Sequence, residues 1–135
     1  MNLVIDANIA LKWYYQEADS PEALKLREQI INGQIIAIVP FLLFVEVANV
    51  LVARRKVPGR VVAQVLDDLA ALPMEVVPYH HVMAKAAVAL ADQHRISVYD
   101  GLYAALAQQS AIKLLTEDTA LLSALPNHCR RLGEL

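Results

Sequence analysis

The sequence predicts a three-layer α/β/α fold around a central, mostly parallel sheet of four to five strands. Three observations carry this reading. Short runs of large apolar residues, many β-branched (Leu3 to Ile5, Ile35 to Val39, Met74 to Val77, Ile112 to Leu115), have the composition of strands buried on both faces. Longer stretches with helical patterning alternate with them, as they do when helices cover both sides of a parallel sheet. Ser20-Pro21, Asn32-Gly33, Pro58-Gly59 and Pro73 punctuate the boundaries.

Taken in order, the first strand meets Asp6, and a helical pattern follows over Ile9–Tyr15. Ser20 followed by Pro21 is a start signal for a second helix, which Asn32-Gly33 stops. After the second strand, Pro40 begins a long apolar helix to about Lys56, and another helix covers Arg60 to Leu72. Beyond the third strand, an Ala-rich helix spans His80 to His94. Ile96 to Val98 reads as a brief extended piece, and Tyr99-Asp100 leads a helix through Ser110. After the fourth strand, Thr116-Glu117-Asp118 opens a short helix ending near Pro126, and Cys129 to Leu132 is a candidate edge strand. Residues 1–135 carry no repeat, linker or low-complexity segment, so one domain is expected.

Composition narrows the function. The hydrophobic fraction of 57% exceeds the usual roughly 45–50%, which points to apolar surface reserved for a partner or a second copy. A net charge of −2 gives no general attraction to nucleic acid or anionic membrane, so any such contact needs a local basic patch or a bound cation. One cysteine, Cys129, excludes an internal disulfide and a cysteine-based zinc site. The longest apolar window, Ile35 to Ala53, contains Pro40, Glu46 and Asn49, and a central acid opposes membrane insertion. No leader pattern opens the chain, and a cytoplasmic location is expected.

The acids are the candidates for chemistry. Asp6 follows a strand's carboxyl end, where parallel α/β sheets bind ligands, although capping the next helix is its ordinary role. Glu46 lies in a helix apolar almost all round, where a carboxylate is costly unless paired or cation-bound. Asn49 shares its helical face and is placed to orient it; the plainer alternative is a Glu reaching solvent or an Arg. Asp100 starts an apolar helix, and Asp118 comes just past a strand like Asp6. Acids after adjacent parallel strands lie within several Å, because strands are about 4.8 Å apart. Four converging carboxylates raise one another's pKa, and a hard cation such as Mg²⁺ or Mn²⁺ relieves this with oxygen ligands. Phosphodiester hydrolysis suits these parts best.

Here the residues carry a resemblance. Leu3-Val4-Ile5-Asp6-Ala7-Asn8, Glu46 in its apolar helix, Tyr99-Asp100-Gly101-Leu102-Tyr103 with Ala104-Ala105-Leu106-Ala107, and Leu114-Leu115-Thr116-Glu117-Asp118 resemble the four acid motifs of PIN domains. Within these the chain is most similar to VapC-type toxins of toxin–antitoxin pairs, in order and over nearly its whole length. The resemblance implies a Mg²⁺- or Mn²⁺-dependent endoribonuclease acting on RNA, a homodimer, and inhibition by a cognate antitoxin. It makes Asp6, Glu46 and Asp100 the principal metal ligands and Asp118 the fourth acid, with Asn8 and Thr116 as supporting polar residues. Glu117 competes with Asp118 for the fourth place.

The remaining polar groups are weaker candidates. Arg54, Arg55, Lys56 and Arg60 either hold RNA phosphates or form a solvated helix end. Asp67-Asp68, His80 and His81 read as surface, and Asp92 with His94 as a helix end. Trp13, Tyr14 and Tyr15 read as core, with a partner groove as the alternative. A competing function is a non-catalytic module of the same fold that receives a partner's Arg in its acidic pocket. A phosphoacceptor domain is disfavoured, because Asp6-Ala7-Asn8 lacks paired acids and Thr116-Glu117-Asp118 lacks a Lys.

Overall fold

A computed structural model describes residues 1–135. The strands are β1 (Asn2–Ile5), β2 (Ile36–Pro40), β3 (Glu75–Val77), β4 (Lys113–Leu115) and β5 (Cys129–Arg130), in the spatial order β3-β2-β1-β4-β5. Every pairing is parallel, and the expected tail strand is β5. Seven α-helices flank the sheet: α1 (Ala7–Leu11), α2 (Ser20–Ile31), α3 (Leu42–Asn49), α4 (Gly59–Ala71), α5 (His81–His94), α6 (Val98–Ser110) and α7 (Thr119–Ala124). β1 lies at the centre because Leu3, Val4 and Ile5 are apolar without interruption and almost fully buried, the pattern of a strand covered on both faces. No helix is long and apolar enough to cross a membrane.

Several boundaries differ from the sequence reading, each for a local reason. The first helix is Ala7–Leu11 instead of Ile9–Tyr15, because Asp6 caps it at once through the Ala7 amide. Residues 12–15 turn away, with Trp13 buried and its Nε1 donating to the Ala23 carbonyl at 2.9 Å. Lys12 is also buried there and pairs with Glu17 and Asp19, the latter at 3.0 Å.

Pro40 ends β2 rather than opening a helix, paired with Val77 while the next amide, Phe41, donates to Val77. α3 then widens into a π-helical turn, Val50–Arg54, closed by Arg55 N–H to the Val50 carbonyl, and Lys56 at φ 56° ends it. That helix is not apolar-buried all round: Phe41, Val45 and Val52 are exposed.

Ile96 to Val98 forms no extended piece. Arg95 at φ 56° ends α5, Ser97 caps α6, and Val98 is already helical. The last helix starts at Thr119, because Asp118 supplies its cap.

α5 and α6 pack closely at Gly101, where a Cβ would come within 2.5 Å of the Ala87 carbonyl oxygen. A backbone oxygen cannot swing aside, so glycine is the residue that fits. Gly101→Ala is expected to destabilise the chain by about 1–3 kcal/mol through overpacking, read as a fall of several degrees in the thermal unfolding midpoint.

Candidate active site

The parallel pairing of β1 with β4, Ile5 beside Leu115, brings the two strand ends together. Asp6 and Thr116, separated by 110 positions, therefore touch: Thr116 Oγ1 donates to Asp6 Oδ2 at 2.7 Å. Asn8 Nδ2 donates to the same oxygen and to Thr116 Oγ1, both at 3.2 Å, while Asn8 Oδ1 accepts from the Glu117 amide. Ala7 N–H donates to Asp6 Oδ1 at 2.7 Å. A carboxylate offers about four acceptor positions, so these three bonds hold Asp6 and leave about one position open. Asp6 thus both caps a helix and faces the sheet edge.

Asp118 follows on the same loop. Its amide donates to Thr116 Oγ1 at 3.0 Å and its Oδ1 accepts from Leu121 N–H at 2.9 Å. Glu117 points the other way: Arg131 donates to its Oε2 through Nε and Nη2, and the Leu132 amide donates to Oε1 at 2.8 Å. Glu117 therefore ties down the chain's last turn, Leu132–Glu134, and Asp118 is the acid left beside the others.

Glu46 reaches the site from α3 and Asp100 from the first turn of α6, whose cap is the Ser97 hydroxyl accepting from the Asp100 amide. Asn49 does not orient Glu46, because it is exposed. The neighbour of Glu46 is instead Tyr103, whose hydroxyl is close enough to hold the Glu46 carboxyl down against burial, yet by distance and angle Glu46 Oε1 and the Tyr103 hydroxyl are both buried without a hydrogen-bond partner.

Burial and mutual charge act on these acids together. Burial pushes the Asp6 carboxyl up to about 7, against the Thr116 hydrogen bond, with the charges of Glu46 and Asp100 adding to the rise. Burial and then Asp100 raise Glu46, with Tyr103 opposing; burial and then Asp118 raise Asp100. The field reaches the Cys129 thiol, pushed up to about 11 by burial, Asp6 and Asp118. Like charges close together in a partly dry site account for these shifts. No three of the acids form a closed cation-gripping group. Clefts of about 340 and 400 Å³ lie elsewhere, the first lined by Lys12 and Trp13, the second by Glu22, Glu117 and Arg131; neither is lined by Asp6, Glu46 or Asp100.

The other sequence candidates sit apart. Arg55 lies over the Tyr15 ring at 4.0 Å and pairs with Glu17 at 3.8 Å, so one member of the basic run is already engaged. Asp68 is exposed but not merely solvated, since it accepts from the Tyr14 hydroxyl at 2.7 Å and pairs with Arg27. His80 caps α5 and stacks with His81; both are exposed, as is Asp92. Two contributors were missed in the sequence, Tyr103 and Gly101. A glycine in the opening turn of a helical run was the available signal for the second.

The Asp6 shift has a sign that can be checked. Its folded-state pKa lies above the ordinary aspartate value of 3.8, so the folded chain binds the extra proton between the two values and stability falls as pH rises from about 4 to about 7. Asp6→Asn should flatten that slope, worth up to about 4 kcal/mol at about 1.4 kcal/mol per unit, in unfolding midpoints measured across this range. Thr116→Val removes the donor to Asp6 and strands the Asn8 and Asp118 donors, and is expected to cost about 1–3 kcal/mol in a denaturant titration.

Comparison with known proteins places the fold. No curated protein matches the sequence. Among solved structures, the chain is similar to VapBC2 from Rickettsia felis bound to a promoter DNA fragment, at 13% identity and a TM-score of 0.72 over 97% of this chain and 98% of that one. It is similar to VapC20 of Mycobacterium tuberculosis, a sarcin-ricin loop cleaving toxin, at 13% identity and a TM-score of 0.75 over 91% and 95%. FitAcB from Neisseria gonorrhoeae matches at 15% identity and a TM-score of 0.69 over 98% and 99%. At these identities the likeness is one of fold. The family model of the PIN domain matches residues 3–125, and the chain belongs to the PIN domain family.

Proposed function

We propose that the chain is a Mg²⁺- or Mn²⁺-dependent endoribonuclease, the toxin of a toxin–antitoxin pair, acting in the cytoplasm as one domain. The observation that carries this reading is the gathering of four carboxyls at the carboxyl edge of the sheet, where Asp6 feels Glu46 and Asp100, Glu46 feels Asp100, and Asp100 feels Asp118. The donor set fits a hard divalent cation: it is all carboxylate, and Glu46 Oε1 is buried with no partner. Asp6, Glu46 and Asp100 would hold the ion, with Asp118 as the fourth acid. When bound, such an ion neutralises charge building at phosphorus and acidifies a water.

The chain's own residues prepare that chemistry. Thr116 and Asn8 hold Asp6 in one orientation, and burial keeps competing water from its oxygens. Asp118 is oriented by its own cap on α7 and by the Thr116 hydroxyl. Arg54, Lys56 and Arg60 are exposed and remain for RNA phosphates. Phe41, Val45 and Val52 recur on one face of α3 and its π-turn and are each about half exposed (54%, 53% and 50%). This apolar stripe, together with neighbours that are toxin–antitoxin complexes, supports a homodimer and an antitoxin partner.

Purified protein is expected to cut RNA with Mn²⁺ or Mg²⁺ and to stop in EDTA. Asp6→Asn and Asp100→Asn should lower the cleavage rate by about 100-fold or more if these groups hold the ion; unchanged cleavage by both would sink the reading. Asp118→Asn should also lower it, whereas Glu117→Gln should cut normally and lose about 1–2 kcal/mol of stability, because a largely covered carboxylate holds the Arg131 fork and the Leu132 amide. Failure of the wild-type chain to bind Mn²⁺, with tight capture of an Arg-bearing partner, would favour the non-catalytic reading.

A further inference from the structure

One hydroxyl in the acidic site has no account in the chemistry above. Tyr103 is fully buried on α6, about one turn beyond Asp100, with its ring in the hydrophobic core. Its hydroxyl has no hydrogen-bonding partner, and neither has the adjacent Glu46 Oε1. A phenol is protonated at neutral pH, so toward a carboxylate it can only be a donor. Burying a donor without a partner is unfavourable, and phenylalanine would fill the same space without that penalty. The backbone that carries Tyr103 has little room to drift, because Gly101 two residues earlier sits against the Ala87 carbonyl.

We propose that Tyr103 is a positioning residue for Glu46: two buried polar atoms, side by side and unbonded, join when Glu46 turns to take a divalent cation. The Tyr103 hydroxyl then donates to one Glu46 oxygen and leaves the other toward the ion. Outer hydrogen bonds of this kind orient ligating carboxylates, and losing one typically weakens metal affinity by about 10–100-fold. The inference rests on the metal-dependent reading of the site.

The test uses the full chain and its Tyr103→Phe variant, stripped with EDTA. Thermal unfolding is measured without metal, and Mn²⁺ is then titrated by calorimetry. The variant should unfold at the same temperature as the wild type or higher, and bind Mn²⁺ at least about tenfold more weakly. In a Glu46→Gln background the same substitution should have no further effect on Mn²⁺ affinity. A lowered metal-free midpoint with unchanged Mn²⁺ affinity would mark the tyrosine as structural and overturn the proposal. Equal Mn²⁺ binding by the wild type and Tyr103→Phe removes the positioning role and leaves the metal reading standing. No Mn²⁺ binding by the wild type removes both.

Discussion

A carboxylate at the end of the central strand cannot be taken out of water without partners, and the geometry around Asp6 is arranged to satisfy it. The Asp6 amide bonds to the Leu115 carbonyl, continuing the β1–β4 ladder past the strand end. That bond sets the distance between the two loops, so Thr116 Oγ1 and Asn8 Nδ2 reach Asp6 Oδ2 while Ala7 N–H reaches Oδ1. Three donors offset much of the desolvation, yet burial still wins and the carboxyl is pushed up to about 7. The charge is supported without being neutralised, which is why the proposed function places a cation at this edge.

The same reasoning separates the acids by what already occupies them. Glu117 has its charge matched by the Arg131 fork and one oxygen engaged by the Leu132 amide. Asp118 spends one oxygen on its helix cap, and its charge is felt at Asp100. Glu46 has a buried oxygen with no partner at all. Proximity along the chain is therefore a poor guide to function: two adjacent acids on one loop have different surroundings, because neighbouring residues there face opposite sides.

Much of the fold was legible in the chain because strand and helix signals agree with their burial. The apolar runs that read as strands are β1 to β4, and the tail forms the expected edge strand, beside β4. Two of the misread boundaries share one cause: a contact distant in sequence outweighed local pattern. Trp13 continues an apolar period but leaves the helix to reach the Ala23 carbonyl, and Pro40 completes a strand because Val77 lies beside it. The π-turn at Val50–Arg54 leaves no mark in the period of its residues.

The residue types and their order were enough for the alternation of layers, the acids at the strand ends and the family likeness. These follow from hydrophobic period, capping chemistry and carboxylate chemistry, which act locally. Only the three-dimensional arrangement decided that Thr116 clamps Asp6, that Glu117 belongs to the tail, that Asn49 faces solvent, and that Tyr103 lies beside Glu46 unbonded. Each depends on where a side chain points relative to an element distant in sequence, and that direction is set by strand register and helix packing, neither of which is a property of any single stretch.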